Sequence, residues 1–190
     1  MIGARGLEKR YGGRRVLRGV DVDLPDGGFL LVTGRNGSGK TTLLRILAGL
    51  TSCDAGTIDL PPRQVVGYLG HEPLVYRELT PLENLTLFAH LYRVPERGER
   101  VGMLLERFGL WEARHERVST FSRGMQQRLG LARVLLHDPR LLVLDEPYNA
   151  LDSDGAALLD AALMESRTFV VATHAPERVE SHATLRLALA

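Results

Sequence analysis

A segment of nine residues, 34–42, has side chains and a spacing that suit phosphate. It reads GRNGSGKTT and fits the pattern G-x-x-x-x-G-K-[ST] without a gap. Glycines let consecutive backbone N–H groups point at one anion, and they stand here at Gly34, Gly37 and Gly39. A helix that starts near Lys40 would add its positive end to the same point. The pattern predicts a phosphate-binding loop, called the phosphate loop below.

The other side chains of the phosphate loop have separate expected tasks. Lys40 would reach the β- and γ-phosphates of a nucleotide as a point charge. The Thr41 hydroxyl would ligate Mg²⁺, and Thr42 would contact an outer phosphate. Asn36 and Ser38 complete the loop. We therefore count all of them among the predicted nucleotide-binding residues.

Two carboxylates and a histidine follow apolar runs later in the chain. Asp145 and Glu146 come after 141–144, and ligands bind beyond the carboxyl ends of parallel strands. Because neighbouring strand residues point to opposite sides, we expect Asp145 to face a metal and Glu146 to face the attacking water. A surface turn is the alternative, but a phosphate loop in the same chain favours catalysis. His174 follows 168–173 and is expected to contact a phosphate oxygen or that water.

Two further positions have a ligand-binding and a purely structural interpretation. Ser122 suits the N-cap of the helix that follows it, and with the backbone near Gly124 it would form a second, smaller anion site. Read locally, the same residues are only a helix cap. Tyr11 ends the first predicted strand and would either stack on a purine or cover a turn. These residues by themselves leave both interpretations open.

A parallel sheet with flanking helices is needed to position these side chains. Short strands before residue 32, separated by glycine-containing turns, suit a small antiparallel piece. The run 64–70 is apolar enough for a central strand. Helical patterns occupy about 75–138, where Thr80 and Glu83 predict a capping box. We expect one domain over 1–190, with a catalytic core formed by 1–74 and 139–190 and a helical lobe between them.

Composition excludes several classes of protein. The chain has 24 basic and 23 acidic side chains, so its net charge of +1 offers no field for nucleic acid. The single Cys53 cannot form an internal disulfide, and no Cys/His cluster has metal-site spacing. No apolar run approaches the roughly 18 residues of a membrane helix, and the first ten residues lack a signal peptide's apolar block. We expect a cytoplasmic protein without a nucleic-acid partner.

In their order along the chain, these motifs resemble those of the nucleotide-binding subunits of ABC transporters. The phosphate loop looks like Walker A, FSRGMQQRL at 121–129 like the ABC signature, and LLVLDEP at 141–147 like Walker B with its following glutamate. NALD at 149–152 looks like the D-loop and ATH at 172–174 like the H-loop. The signature separates this family from other P-loop ATPases. The resemblance implies an α/β P-loop NTPase with a RecA-like parallel sheet, a small N-terminal antiparallel β piece and an inserted helical lobe.

The resemblance also implies cofactors and partners. ATP with Mg²⁺ would be bound and hydrolysed in a homodimer, with Tyr11 similar to the family's adenine-stacking aromatic residue and Val16 beside it. Ser122 and Gly124 would contact the ATP held by the other copy. Closing and reopening of this dimer would drive a separate integral membrane subunit, docked near residues 72–90. We expect that subunit to hold the protein at the inner face of the cell membrane.

The chain departs from the family pattern at two positions. The family usually has a glutamine near Mg²⁺ and the attacking water, where this chain has His71, with Glu72 as the neighbouring candidate. Histidine would add a proton equilibrium and glutamate a charge. Arg123 replaces the first glycine of the signature. It would either assist a neighbouring triphosphate or remain solvated.

Within the family, the chain looks most like the haem exporter ATP-binding subunit of cytochrome c maturation. This resemblance lies in the short length and in three segments, 68–71, 78–80 and 83–85. Subunits that serve other exported substrates share most of the pattern and are the alternative. A soluble ABC-type ATPase acting on ribosomes or DNA is a further alternative, but such proteins carry tandem cassettes or long coiled-coil insertions. Neither fits in 190 residues.

Overall fold

A computed structural model of the chain describes residues 1–189, so the last residue of the predicted catalytic segment, 190, lies outside it. The strands of the described residues are β1 (Ile2–Tyr11), β2 (Arg14–Leu24), β3 (Phe29–Gly34), β4 (Ala55–Asp59), β5 (Val66–Leu69), β6 (Leu141–Asp145), β7 (Thr168–Ala172) and β8 (Leu185–Leu189). The α-helices are α1 (Lys40–Leu47), α2 (Pro81–Leu91), α3 (Arg97–Arg107), α4 (Arg123–Leu135) and α5 (Ser153–Leu163).

The strands form two sheets. The smaller has the order β2-β1-β4, with β1 antiparallel to both neighbours, as the short N-terminal strands predicted. The larger has the order β5-β6-β7-β3-β8, and β3 runs parallel to β7 and β8 while β6 runs parallel to β7. The order places β3, β7 and β6 side by side. Their carboxyl ends therefore lie at one edge of the sheet.

The prediction of a central strand at 64–70 is wrong, because β5 lies at the edge of the larger sheet. All five residues of β6 and of β7 are buried, whereas Val66 and Tyr68 of β5 are only half-buried. A short apolar run indicates that a segment is buried, but it does not indicate how many strands flank that segment in the sheet.

The phosphate loop is supported by an apolar core. Helix α1 buries Leu43, Leu44, Ile46 and Leu47, which belong to one cluster with residues of β3, β6 and β7. Burying a side chain of this size is worth roughly 1.5–3 kcal/mol. This packing fixes α1, whose first turn follows the loop directly.

The chain forms two compact units. The first unit contains Met1–Tyr68, Arg140–Glu146 and the chain from Ser166 onward, and the second contains Leu69–Pro139 and Pro147–Glu165. The residues predicted as a helical lobe, about 75–138, fall within the second unit. Our division into a core and a lobe of one domain remains a prediction.

The predicted start of α2 in the second unit is confirmed. The Thr80 hydroxyl accepts a hydrogen bond from the Glu83 N–H at 3.2 Å, and a Glu83 carboxylate oxygen accepts one from the Thr80 N–H at 2.8 Å. Pro81 occupies the first turn, where its missing N–H is not needed.

Over residues 1–189, none of the helices combines the length and the apolar character that crossing a membrane requires.

Candidate functional site

The phosphate loop joins β3 to α1 in the first unit, and its glycines are required by the backbone. Gly37 has φ 80 and Gly39 has φ 101, both in the left-handed region. A Cβ atom on Gly39 would lie 3.0 Å from side-chain atoms of Val16 and Leu17. Gly39 is also the N-cap of α1, and no side chain caps that helix. The first N–H groups of α1 are therefore available to an anion.

Lys40 is held over the phosphate loop. Its residue is only 7% exposed, and its Nζ donates to the Gly34 carbonyl at 2.8 Å and to the Arg35 carbonyl at 3.3 Å. An ammonium group has three hydrogens, so these bonds leave one donor. The charge is thus fixed at the loop that the sequence predicted it to serve.

Thr41 and Asp145 meet although they are far apart in the chain. The Thr41 hydroxyl donates to Asp145 Oδ2 at 2.6 Å, and Asp145 is 2% exposed at the end of β6. A hydroxyl and a carboxylate are hard oxygen donors of the kind that Mg²⁺ takes, with phosphates and water supplying the rest. Among residues 1–189 no group of three or more His, Cys, Asp or Glu side chains is arranged for a metal. The donor set fits Mg²⁺ bound together with a phosphate ligand.

Glu146 differs from the prediction in its backbone. We expected strand alternation to separate it from Asp145, but Glu146 lies one residue beyond β6 and has φ 51. Left-handed backbone is uncommon for a residue other than glycine, and it occurs at functional sites. The Glu146 N–H donates to the Ala172 carbonyl of β7 at 2.8 Å. A turn, rather than the pleat of the strand, therefore orients this carboxylate.

Glu146 and His174 form a hydrogen-bonded pair. Glu146 Oε2 lies 2.8 Å from His174 Nδ1 and accepts a second bond from the His174 N–H at 3.2 Å. An ionised carboxylate can only accept, so this contact requires the proton on Nδ1. The Glu146 side chain is 13% exposed, that of His174 61%. Within residues 1–189, Glu146 Oε1 has no hydrogen bond, which leaves it able to accept one from water.

Val16 lies with the phosphate loop, while Tyr11 stands at the end of a strand. Val16, Gly37 and Ser38 line one cavity of ≈ 630 Å³ in the first unit. Tyr11 is the last residue of β1 and is 50% exposed. Its ring is therefore available for contact with a planar ligand.

In the second unit, the prediction that Ser122 caps a helix is confirmed. Its hydroxyl accepts a hydrogen bond from the Met125 N–H at 3.2 Å at the start of α4. A Cβ atom on Gly124 would lie 2.9 Å from the Ala150 carbonyl oxygen. Gly124 is therefore a glycine because the segment 149–152 approaches it closely, a reason that local sequence does not contain.

His71, Glu72 and Arg123, the residues at or beside the departures from the family pattern, line one cavity of ≈ 520 Å³ in the second unit. All three are exposed. Because both residues line this cavity, either His71 or Glu72 can take the place of the family's glutamine.

Two buried polar residues support these segments and were not assigned a role from the sequence. Thr173 is 2% exposed, and its hydroxyl accepts from the Ala175 N–H at 3.0 Å, which fixes the turn at His174. Asn84 is fully buried and bonds both the N–H and the carbonyl of Tyr76. The threonine directly before His174 was a usable signal, since such hydroxyls bond the backbone two residues on.

Substituting Gly39 tests the geometry of the phosphate loop. Gly39→Ala is expected to lower the free energy of unfolding by about 1–3 kcal/mol, because alanine is strained at φ 101 and its Cβ crowds Val16. Urea unfolding measures this loss. Gly98→Ala is the control, because Gly98 lies in α3 with nothing within 4 Å of its added Cβ, and it should not destabilise the chain. Equal stability of Gly39→Ala and Gly98→Ala would contradict the predicted backbone strain at position 39.

Comparison with known proteins gives relatives of one kind. Residues 17–149 match the family described as ABC transporter. The chain is 38% identical to the uncharacterized ABC transporter ATP-binding protein YdbJ of Bacillus subtilis, over 92% of this chain and 61% of that protein. It is 38% identical to the cytochrome c biogenesis ATP-binding export protein CcmA of Cupriavidus necator, over 92% of this chain and 83% of that protein. It is 33% identical to the lantibiotic transport ATP-binding protein SrtF of Streptococcus pyogenes, over 95% of this chain and 82% of that protein.

Solved structures show the same architecture. An ATP-binding subunit of an ABC transporter has a TM-score of 0.87 at 25% identity and covers 99% of this chain and 85% of its own. A dimeric ATP-binding cassette in a post-hydrolysis state with ADP and Pi has a TM-score of 0.85 at 28% identity. It covers 100% of this chain and 94% of its own. The predicted fold class is confirmed by these likenesses. The chain spans 61% and 55% of the lengths of the first two relatives, both from Bacillus subtilis.

Proposed function

The chain belongs to the ABC transporter family, and on that premise we propose that it binds ATP with Mg²⁺ and hydrolyses it to drive a separate membrane subunit. The observation that carries this proposal is that Thr41 bonds Asp145 at the end of β6, and that Glu146 bonds His174 just beyond the ends of β6 and β7. One pair offers oxygen donors for a metal. The other offers a carboxylate for water.

In the proposed ATP complex, the phosphate loop surrounds the phosphates. Its backbone N–H groups and Lys40 contact the phosphate oxygens, with Thr42 at an outer phosphate. Thr41 and Asp145 would hold Mg²⁺, which would supply positive charge to the phosphates when bound. Tyr11 stacks on the adenine, with Val16 beside it. The support for Tyr11 is its half-exposed ring, and the support for Val16 is the cavity that it shares with the phosphate loop.

The proposed hydrolytic step uses Glu146 as the general base. Glu146 Oε1 takes a proton from water while the water oxygen attacks the γ-phosphorus, and the bond from that phosphorus to the β–γ bridging oxygen breaks. The products are ADP and phosphate. His174 acts on Glu146 by holding Oε2, so that the carboxylate keeps one orientation. His71, or Glu72 beside it, would hold Mg²⁺ or the water.

We further propose that two copies of the chain enclose the ATP. Each phosphate loop would face Ser122 and Gly124 of the other copy, which supply a hydroxyl and an N–H to the γ-phosphate. The dimeric cassette with bound ADP and Pi, similar to this chain over all of its length, supports such pairing. Hydrolysis would remove the phosphate that joins the halves, and the dimer would open.

A pair of matched helix-cap variants tests this arrangement. Ser122→Ala and Thr80→Ala each remove an N-cap hydroxyl that accepts a 3.2 Å hydrogen bond, so each should cost about 1 kcal/mol of stability. Only Ser122→Ala should abolish the ATP-dependent dimer, measured by light scattering coupled to size-exclusion chromatography. If both variants dimerise equally with ATP, Ser122 does not act across the dimer.

For the transported substrate, we propose haem export for cytochrome c maturation. The similarity to CcmA over 92% of this chain supports it. The similar identity to a lantibiotic transport protein supports the second candidate, export of another substrate. The partner subunit would hold the chain at the inner face of the membrane. Copurification of the tagged chain from membranes, followed by identification of the retained membrane subunit and assay of c-type cytochromes in a deletion strain, separates the two.

A further inference from the structure

Lys9 lies against the ring that we propose for base stacking. Its Nζ is 5.6 Å from the centroid of the Tyr11 ring, within the range of a cation–π contact. Tyr11 is 50% exposed, so part of its surface stays open to a ligand beside the ammonium. The contact is between two residues of β1 that are separated by one residue.

The position of this ammonium is fixed from outside the strand. Lys9 Nζ donates to Asp54 Oδ1 at 2.7 Å, and the Arg10 N–H donates to Asp54 Oδ2 at 2.7 Å. The Asp54 N–H in turn donates to the Glu8 carbonyl at 2.8 Å. Three bonds therefore join Asp54 to three consecutive residues of β1. The Lys9 residue as a whole is only 9% exposed, which restricts its side chain further.

Charge and residue type agree with this placement. The hydrogen bond to Asp54 raises the pKa of Lys9, against the lowering effect of its burial, and the same bond lowers the pKa of Asp54. The ammonium and the carboxylate thus both keep their charge at neutral pH. Of 24 lysine and arginine residues in the chain only Lys9 and Lys40 are lysines. Lys9 is therefore one of two positions where this chain has a compact ammonium instead of a guanidinium.

We propose that Lys9 is a positioning residue for nucleotide binding, which holds and polarises the Tyr11 ring so that its open face binds the purine base. A cation on one face draws π-electron density toward itself, and the ring then repels the electron-rich base on the other face less strongly. Lys9 does not touch the nucleotide in this arrangement. The inference rests on the proposed role of Tyr11 in ATP binding.

The test compares ATP with D-ribose 5-triphosphate, which has no base, by calorimetric titration of the full chain with Mg²⁺. Lys9→Met keeps the side chain's length and removes its charge. It should raise the Kd for ATP about 2- to 5-fold and leave the Kd for ribose triphosphate unchanged. Lys9→Arg, which keeps a cation, should retain the wild-type ratio of the two constants. A general disturbance of the fold would move both constants together.

Tyr11→Ala separates this inference from the proposed function. It should raise the Kd for ATP about 5- to 100-fold, and adding Lys9→Met should then have no further effect. Unchanged ATP affinity in Tyr11→Ala would overturn base stacking and the role of Lys9 together. If Tyr11→Ala weakens ATP binding but Lys9→Met leaves the ratio of the two Kd values unchanged, only the role of Lys9 is overturned. If Lys9→Met does not fold, Asp54→Ala, which removes the acceptor that holds the ammonium, must raise the Kd for ATP relative to that for ribose triphosphate in its place.

Discussion

Replacing Glu146 by glutamine is expected to lower the rate of ATP hydrolysis about 10²- to 10⁴-fold while the affinity for ATP is retained. An amide oxygen cannot take the proton of the attacking water, but the side chain keeps its size and can still accept from the His174 N–H. The phosphate loop is untouched. Phosphate release under saturating ATP measures the rate, and calorimetry measures the affinity.

The same variant should accumulate as an ATP-bound dimer, because in the proposed cycle closure does not need the base and reopening needs hydrolysis. Glu177→Gln is the matched control, since it removes an equal charge from an exposed glutamate three residues after His174. Its turnover should equal that of the wild type. Turnover near the wild-type rate in Glu146→Gln would remove Glu146 from the role of base.

Replacing Lys40 by methionine is expected to raise the Kd for ATP about 10- to 150-fold. The ammonium contributes a charge-assisted hydrogen bond of roughly 1.5–3 kcal/mol to phosphate, and methionine keeps the length without the charge. Turnover at saturating ATP should fall as well, because the same charge stabilises the transferring phosphoryl group. Titration calorimetry and steady-state kinetics give the two quantities.

Arg45→Met provides the comparison for this loss. Arg45 is exposed on the same helix, α1, and the variant changes net charge equally. It should bind ATP as the wild type does. If both variants bind ATP comparably more weakly than the wild type, any positive charge on α1 has this effect. The specific role of Lys40 would then be wrong.

The parts of the site that could be predicted from the sequence are those with local causes. The glycines at 37 and 39, the threonine cap at 80 and the serine cap at 122 each follow from the conformation of a few neighbouring residues. Thr41 and Asp145 were both assigned to the metal, but from a motif and a strand end. Their 2.6 Å contact depends on which strands are neighbours.

The features that escaped prediction have non-local causes. The edge position of β5 depends on strand order, which a four-residue run does not encode. Glu146 was expected to follow the pleat of its strand, whereas a left-handed turn bonded to β7 orients it. Lys9 was assigned no role from the sequence. Its relation to Tyr11 and Asp54 appears once β1 is paired and the following loop is in place.

The order of strands in the larger sheet places the proposed hydrolytic residues apart from the long segment between β5 and β6. The residues proposed for hydrolysis lie at or beyond the carboxyl ends of β3, β6 and β7, and the register of these adjacent strands brings those ends together. The chain between β5 and β6, about a third of its length, contributes no strand to this sheet. Insertions or exchanges within 73–121 of that segment, which holds most of the proposed docking region for a membrane subunit but none of the residues proposed to bind ATP, can therefore change that region without altering the distances between the residues that follow β3, β6 and β7.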